Sequence, residues 1–261
     1  MPIAVPSILA AQQRGVEIGR IRMGAKVEFV KDGKTKTRPS KLTQWRLTSP
    51  NRDAVESAAA LLGGQVQEWH PTPSSTQWEV YTTSDILDVV IPPGESIEQH
   101  MELWSGGGCV RRCTGGSGAV NQIDGRPCPC PADDARRVAM AADGHACKPT
   151  TRLRVVLPTL LGVGLWRLES HGFYAAVELV GRHELLSQAA ERGVYVPAQL
   201  RLEQRQRGRH SYGVPVLDIR VSVAQIAAGQ GVGTLPAVVG RVAVALPAGG
   251  RVALPAGGPA A

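Results

Sequence analysis

The chain has 261 residues, of which 43% are hydrophobic and 20% charged, a composition typical of a globular protein with one large or two small domains. No apolar run approaches the roughly 20 residues that a membrane-spanning helix needs. The short apolar stretch near the N-terminus has no basic lead before it, which argues against a signal peptide. We therefore expect a cytoplasmic protein.

The net charge of +7 is unevenly distributed along the chain. Residues 14–46 carry ten basic and three acidic side chains, whereas residues 47–104 carry one basic and nine acidic. This alternation favours a protein that meets another charged protein, or a protein–DNA complex, over one that coats DNA uniformly.

The first half of the chain alternates strand patterns with one helix pattern. A strand from Lys26 leads to an Asp-Gly turn and a basic return arm, and "TQWRLTS" predicts a further strand. Ser49 and Pro50 predict the start of a helix, and the Gly63-Gly64 pair predicts its end. Three more strands are predicted at "QVQEW", "QWEVYTT" and "ILDVVIPPG".

The second half has a similar pattern: two strands ("TRLRVVLP" and "GLWRLES"), a helical segment over "FYAAVELVGRHELLSQAAERG" with a break at Gly181, and a hairpin around "RGRHSY". Trp45-Arg46-Leu47 and Trp166-Arg167-Leu168 stand in equivalent places, and strand alternation assigns both tryptophans to the core. We predict an α+β fold with mixed or antiparallel sheets and a few helices. Two related ββαββ units, or a chance similarity between two amphipathic strands, remain open.

The predicted organisation has five segments. A flexible N-terminus (1–14) precedes a first α+β unit (15–104), a cysteine-rich insertion (105–148) and a second α+β unit (149–223). Residues 224–261 repeat "ALPAGG", and this low complexity predicts a disordered tail.

All five cysteines lie between Cys109 and Cys147, and an odd, clustered set in a reducing compartment favours metal binding over disulfides. Zinc takes four ligands in a tetrahedron and binds thiolates well, and Arg111 and Arg112 can offset the resulting negative charge. An iron–sulfur cluster stays open as the second choice. We predict a structural Zn²⁺ bound by Cys109, Cys113, Cys130 and Cys147, with Cys128 as the alternative ligand and His145 ranked lower.

The residues do not predict catalysis. A hydrolytic metal site keeps an open position and a nearby base, and the cysteine segment has no His-x-x-Glu-His or similar pattern. The glycines before Cys109 lack the ending of a phosphate-binding loop. Glu169, Ser170 and His171 are neighbours on a predicted strand, where side chains alternate between faces, so they form no triad. We expect a protein that is not an enzyme, with no catalytic residue to assign.

Seven motifs follow one another between about Gly15 and Val223: "GRIRMG", "RPSKLTQWRLTSP", "ELWSGGGCVRRC", "PCPCP", "CKPTTRL", "WRLESHGFYAAVEL" and "LRLEQR…VPVLDI". In this order they resemble the recombination directionality factor family of actinobacterial temperate phages, the partners of large serine integrases. The resemblance implies a regulator that acts in the bacterial host cell. It would turn the integrase from joining the phage and bacterial attachment sites (attP and attB) to recombining the prophage sites (attL and attR), so that the prophage is excised.

The resemblance further implies that the target is the coiled-coil region of the integrase on attachment-site DNA. Charge and expected exposure give two candidate contact surfaces. The first contains Lys31, Lys34, Lys36, Arg38 and Lys41, and the second contains Arg205, Arg207 and Arg209.

Two other functions compete with this interpretation. A zinc-containing nucleic-acid-binding protein would explain the net charge, although residues 47–104 are acidic. A metallohydrolase ranks third. Direct contact with DNA stays open.

Overall fold

A computed structural model describes residues 16–228 of the protein, except 95, 161–163, 183–185, 187–188 and 190–192. The strands are β1 (Glu17–Lys31), β2 (Lys34–Ser49), β3 (Gln67–Thr72), β4 (Ser75–Tyr81), β5 (Ile86–Ile91), β6 (Ile97–Ser105), β7 (Gly108–Cys113), β8 (Lys148–Val155), β9 (Leu165–Ser170), β10 (Val196–Arg207) and β11 (His210–Ile219). The helices are α1 (Arg52–Leu62), α2 (Asp134–Ala142), α3 (Phe173–Val180) and α4 (Val223–Ala227). None of the helices in this part of the chain is long and apolar enough to cross a membrane.

The strands form two sheets, which confirms the predicted α+β class. The large sheet has eight strands in the order β3-β4-β2-β1-β9-β8-β6-β7, and the small sheet has three in the order β11-β10-β5. Among the described strands only β1 and β9 pair in parallel, and the other neighbours are antiparallel. The cysteine-rich segment joins the large sheet through β7 at its edge.

The β1–β2 hairpin is longer than the sheet to which it belongs. Asp32 (φ 56°) and Gly33 (φ 70°) form its turn, and this left-handed pair is the backbone that an Asp-Gly hairpin turn needs. The β1–β9 pairing ends at Ile21, and the β2–β4 pairing begins at Arg46. Among the described strands, residues 24–41 therefore pair only with each other. The predicted return arm and the "TQWRLTS" strand are one continuous strand.

One hydrophobic core joins the large sheet, the small sheet and helices α1 and α3. Trp45 and Trp166 are 0% and 1% exposed, which confirms their predicted place in the core. The Trp45 ring Nε1 donates a hydrogen bond to the carbonyl oxygen of Asp85 at 2.7 Å, so its polar atom is satisfied. A Cβ at Gly19 would overlap the Trp166 ring, so this contact requires glycine.

Among the described elements, the ββαββ order occurs twice, as β1-β2-α1-β3-β4 and as β8-β9-α3-β10-β11. The strand pairing of the two runs differs, however. All four strands of the first run lie in the large sheet, whereas β10 and β11 of the second run form the small sheet with β5. The two runs therefore repeat the order of elements but not the way in which the strands pair. Each of the two predicted units contributes strands to both sheets.

Helix α1 begins two residues later than Ser49 and Pro50 predict. Its N-cap is Asn51, whose side-chain oxygen accepts hydrogen bonds from the backbone N–H groups of Asp53 (3.0 Å) and Ala54 (3.4 Å). The Ser49 hydroxyl instead accepts from the backbone N–H of Asn51 at 2.9 Å. An asparagine cap satisfies the same orphan donors as serine, and the sequence offers both within three residues.

Strands β6 and β7 and helix α2 are not predicted from the sequence. The glycine-rich stretch before Cys109 is the turn of the β6–β7 hairpin, and α2 follows the N-cap Asp133. The first residues of the predicted disordered tail form helix α4, and the rest of that tail lies outside the described residues. The predicted flexible N-terminus (1–14) lies outside them as well.

Candidate metal centre and charged surfaces

Four of the five cysteines come together beside the edge of the large sheet. The Sγ atoms of Cys113, Cys128 and Cys147 lie within 4.8 Å of one another. The Sγ of Cys130 accepts a hydrogen bond from the backbone N–H of Cys147 at 3.2 Å, so it adjoins the same group. A tetrahedral zinc ion with bonds of about 2.3 Å holds its sulfurs about 3.8 Å apart, so this spacing fits a thiolate metal site.

Two strands on either side of β6 bring Cys113 and Cys147 together. Cys113 is the last residue of β7 and pairs with Met101 of β6. Cys147 directly precedes Lys148, which pairs with the next β6 residue, Glu102. Cysteines far apart in sequence thus reach adjacent positions across one strand.

Asn121 fixes the loop that brings Cys128 back to this point. Its side chain is buried, and its Oδ1 accepts hydrogen bonds from the backbone N–H groups of Arg112 (2.9 Å) and Ile123 (3.3 Å). The backbone N–H of Cys128 donates to the carbonyl oxygen of Ala119 at 2.7 Å. Asn121 therefore ties the loop to β7. Sequence reasoning missed this residue, because one asparagine in a polar loop gives no distinguishing signal.

The pKa values of the clustered thiols are those expected of a metal site without its ion. Burial raises the pKa of the Cys113 and Cys147 thiols above the ordinary value, because an ionised sulfur loses its hydration there. At Cys128 burial acts in the same direction, but hydrogen bonds from the Cys130 backbone and from neighbouring thiols outweigh it and lower its pKa. Metal ions bind cysteine as thiolate, so an ion at this point would supply the missing stabilisation of charge.

Cys109, a predicted ligand, lies apart from the group. The prediction assumed a turn between Cys109 and Cys113, but both lie on strand β7. Cys109 pairs with Trp104 and Cys113 with Met101, three strand steps apart on β6, or about 10 Å, which is too far for both thiolates to bind one ion. The Cys109 thiol donates to the carbonyl oxygen of Arg111 at 3.2 Å. The geometry therefore favours Cys128 over Cys109.

His145, the lower-ranked candidate, is exposed and not part of the thiol group. Its carbonyl oxygen accepts a hydrogen bond from Arg111 Nη2 at 2.7 Å. Arg111 thus joins β7 to the segment before Cys147, and its role is structural.

A buried glutamate ties the strands around the cysteines together. The Glu102 side chain is 0% exposed and accepts hydrogen bonds from Arg152 (2.9 and 2.8 Å), Arg112 (2.7 Å) and Trp104 Nε1 (2.9 Å). Burial acts to raise the pKa of Glu102, but the hydrogen bonds from Arg152 and Trp104 and the nearby arginine charges lower it to about 2. Arg112 therefore pairs with a carboxylate and is not placed to offset the thiolates.

The same ion-pair network accounts for the Glu169–His171 segment. Arg152 Nε donates to Glu169 at 2.8 Å, and His171 Nε2 lies 3.4 Å from the same carboxylate. The hydrogen bond from His171 and the charge of Arg152 lower the pKa of Glu169 to about 2, against the opposing effect of burial. This carboxylate serves as a fixed ion-pair partner.

The first predicted partner surface lies on residues 24–41, the free part of the β1–β2 hairpin, which we call the basic ribbon. Lys34, Lys36, Arg38 and Lys41 are all exposed. The first three alternate along β2 and therefore share one face, whereas Lys41 lies on the other. At the tip, Lys31 pairs in register with Lys34.

The second predicted surface is the turn between β10 and β11. Arg209 is exposed, whereas Arg205 pairs with Glu178 (2.7 Å) and Glu203 (3.3 Å). Arg207 ends β10, and its side chain lies outside the description.

The two predicted surfaces adjoin in the fold. Gln204 Nε2 donates to the carbonyl oxygen of Leu42 at 3.1 Å, and the Lys41 ammonium donates to the carbonyl oxygen of Ser211. Segments about 170 residues apart in sequence therefore form one continuous surface.

An aromatic cluster on α3 and β11 lies beside the β10–β11 turn, and the sequence analysis missed it. Tyr212 stacks on Tyr174 with ring centroids 5.0 Å apart, and Phe173 meets Tyr174 edge-on at 6.1 Å. Phe173 and Val177 are 61% and 56% exposed. Exposed aromatic residues grouped in this way are typical of protein-binding surfaces. The adjacent "FY" pair that begins α3 was the available signal.

The described residues thus contain a thiol cluster held by strands, beside buried charges that pair with each other, and this cluster is a candidate metal centre. The family model described as Gp3-like, recombination directionality factor-like, matches residues 18–223, more than three-quarters of the chain. The protein belongs to this family, a family of regulatory factors of recombination, and the resemblance seen in the sequence is confirmed at that level. No solved structure matches the chain.

Proposed function

We propose that this protein is a recombination directionality factor that binds a large serine integrase and switches it from attP–attB integration to attL–attR excision. The observation that carries the proposal is the family match, which extends over both sheets and the cysteine segment. The integrase would cleave the DNA strands with its own serine. The factor would act only by binding, in the cytoplasm of the bacterial host.

Such a switch requires the factor to bind two conformations of the integrase with different affinities. A change of preference from 1:99 to 99:1 takes about 5.5 kcal/mol of differential affinity. The proposed target is the coiled-coil region, whose direction decides whether two DNA-bound dimers synapse. A rigid body that contacts this arm in one pose can supply the difference.

The face toward the integrase–DNA complex is proposed to be the surface where the basic ribbon adjoins the β10–β11 turn. Lys41 and Gln204 connect the two segments, so both can meet one partner assembly. Its proposed residues are Lys31, Lys34, Lys36, Arg38, Lys41, Arg205, Arg207 and Arg209.

We further propose a structural Zn²⁺ held by Cys113, Cys128, Cys130 and Cys147. Four thiolates close the tetrahedron and leave no position for a reacting water, so the ion would fix the loop between β7 and β8. Metal analysis of the purified protein tests this assignment. One equivalent of zinc supports it, and iron with visible absorbance indicates a cluster instead.

In vitro recombination tests the switch. Purified integrase is incubated with attL and attR DNA, and separately with attP and attB DNA, with and without the protein. We expect excision product only in its presence and less integration product. A protein that neither binds the integrase nor changes the products would refute the proposal.

Charge reversal tests the proposed face. Lys34→Glu, Lys36→Glu and Arg38→Glu together should abolish excision without changing the circular dichroism spectrum. Arg126→Glu, Arg136→Glu and Arg220→Glu form the matched control, since they reverse three exposed charges outside residues 24–41. Unchanged excision by the first variant removes the ribbon from the proposed face.

A further inference from the structure

A cavity of about 1290 Å³ lies on the face of the large sheet that is opposite the hydrophobic core. Its floor consists of outward-facing residues of β1, β6, β8 and β9, because alternate residues such as Leu153 and Leu168 are buried in the core. Pro92 and Pro93, before β6, and Tyr195, before β10, also line it. Ligand-binding cavities typically enclose ~300–1,000 Å³, so this space can hold an organic molecule.

Three arginines, which we call the arginine row, cross the floor of the cavity side by side. Arg20 of β1 pairs in register with Arg167 of β9, and Arg167 pairs with Arg154 of β8. Neighbouring strands are about 4.8 Å apart, and like charges directly opposite one another destabilise a sheet. The arginine row therefore weakens the sheet unless anions compensate it.

Carboxylates of the chain compensate the arginine row only in part. Glu17 lies 3.2 Å from both Arg20 and Arg167, so one carboxylate serves two guanidinium groups, and Glu98 lies 2.7 Å from Arg154. Burial, and then the nearby charge of Arg20, lower the pKa of Arg167 despite the opposing effect of Glu17. The charged form of Arg167 is thus less stable here than in water, and a further anion would stabilise it.

Arg22 adds a fourth cation beside the arginine row, two residues from Arg20 on the same face of β1. In the described part of the chain it forms no ion pair, and its Nε donates to Thr48 Oγ1 at 3.0 Å. Burial and the charges of two neighbouring arginines lower its pKa to about 10. Glu79 and Glu169 act in the opposite direction, but each already pairs with another arginine. Around the row, the cations therefore outnumber the carboxylates by two: Arg20, Arg22, Arg154 and Arg167 against Glu17 and Glu98.

Two buried polar atoms at this cavity lack a hydrogen-bond partner. Within the described residues, Arg167 Nε and His100 Nδ1 are the buried side-chain atoms of this kind, and both residues line the cavity. A buried polar atom without a partner calls for an explanation such as a bound ion or ligand. Arg167 Nε carries a hydrogen and therefore needs an acceptor. An oxyanion is an acceptor that would also compensate the arginine row.

We propose that this cavity binds a small organic phosphate, whose phosphate oxygens accept hydrogen bonds from Arg20 and Arg167. A phosphate monoester carries close to two negative charges at neutral pH and three acceptor oxygens, which matches the excess of cations better than a carboxylate does. The planar fork of arginine donors suits it. Pro92, Pro93 and the exposed ring of Tyr195 offer a surface to the organic part of the ligand. This binding site goes beyond the directionality switch and does not depend on it.

Isothermal titration calorimetry of the full chain in chloride buffer tests the site with phenyl phosphate, inorganic phosphate and benzoate. We expect phenyl phosphate to bind most tightly, because it offers both a dianion and an aromatic body. Inorganic phosphate should bind more weakly for lack of that body. Benzoate should bind most weakly, because its carboxylate has one charge and two oxygens.

Two variants locate the site. Arg20→Gln should weaken the binding of phenyl phosphate by about tenfold or more, because it removes charged donors to the phosphate. The matched control is Arg52→Gln, which should bind like the wild type. Arg20 and Arg52 are both well exposed, and each forms an ion pair with a glutamate on its own element, so the two variants lose the same charge and a similar contact.

Several outcomes overturn the proposal. They are no binding of any probe at millimolar concentration, an unchanged affinity in Arg20→Gln, and equal weakening in both variants, which would indicate a general effect of net charge. Benzoate binding as tightly as phenyl phosphate would exclude phosphate as the preferred group. If no probe binds but Arg20→Gln lowers the affinity for the integrase, the arginine row contacts acidic side chains of that protein instead. Because the calorimetry contains no integrase, its result is separate from that of the recombination assay.

Discussion

The face of the large sheet that carries Glu102 and the basic ribbon both carry arginine and lysine, but they use the charges in opposite ways. On the sheet face, the Arg152 side chain is 6% exposed and meets the fully buried Glu102 through two hydrogen bonds of 2.9 and 2.8 Å. On the ribbon, Lys36 is 48% exposed and its acidic neighbour lies 4.0 Å away. The first set of charges is part of the fold, and the second remains free to bind a partner.

The difference follows from where each strand ends. Glu102 and Arg152 lie on β6 and β8, which have neighbours on both sides, so their charges are withdrawn from water and must be paired. The ribbon extends past its neighbouring strands, so its exposed charges stay hydrated, and among the described residues Lys34 and Arg38 have no ion-pair partner. Substitutions of the buried, paired charges should therefore lower the free energy of unfolding, whereas substitutions of the exposed ribbon charges should leave it nearly unchanged.

Loss of the metal ligands should have the largest effect. Cys113→Ser removes the thiolate that joins β7 to the site, and a structural zinc contributes about 10 kcal/mol of apparent free energy to the folding of its loops. We expect loss of bound metal and rapid proteolysis within residues 114–147. Bound metal and limited proteolysis are measured on the variant, and on wild-type protein treated with chelator in case the variant is insoluble.

The matched control is Cys109→Ser, on the same strand. It should keep the metal and lose at most about 1 kcal/mol, because its thiol makes one weak hydrogen bond. Equal metal loss in both variants would contradict the ligand set.

Glu102→Gln should have the next largest effect. It leaves Arg152 and Arg112 without the carboxylate that pairs with them, and breaking a buried ion pair costs about 3–5 kcal/mol. Denaturant unfolding measures the loss. Glu56→Gln removes an exposed pair with Arg52 and should cost under about 1 kcal/mol. Similar losses in the two variants would show that the burial of Glu102 does not decide its contribution.

Acid should act through the same carboxylate. The pKa of Glu102 is about 2 in the folded protein, below its ordinary value of 4.5, so the unfolded chain binds the proton more readily. Its stabilisation is present above pH 4.5 and is lost as the pH falls toward 2, by about 3 kcal/mol in total. Unfolding free energies measured across this range should fall less steeply in Glu102→Gln. Parallel curves for the two proteins would contradict the assignment.

The sequence predicted the fold class because strand alternation and turn residues are local signals. Asp32-Gly33 and the buried Trp45 and Trp166 were found in this way. The pairing of β1 with β9, which joins residues about 150 apart, left no local trace. Strand β7 was missed because it begins at a glycine and shows no regular alternation of apolar and polar residues, and its position at the edge of the sheet depends on contacts with β6.

The sequence predicted a cysteine cluster that could hold a metal, but it did not predict which four cysteines come together. Clustered cysteines indicate a metal, whereas the choice between Cys109 and Cys128 depends on whether Cys109-x3-Cys113 is a turn or a strand. That question is decided by the β6–β7 hairpin. Likewise, Arg112 and Glu102 are ten residues apart, and nothing local predicts that they meet.

The smallest expected effect on stability belongs to the ribbon. Lys34→Gln, Lys36→Gln and Arg38→Gln remove cations that have little compensation inside the molecule, so each should change the unfolding free energy by no more than about 0.5 kcal/mol. The same variant should lose excision activity, so function and stability separate here, whereas Glu102→Gln lowers the stability itself. Denaturant unfolding of the triple variant makes the comparison. A loss above about 2 kcal/mol would mean that these cations hold the hairpin together, and the contrast between the two regions would then fail.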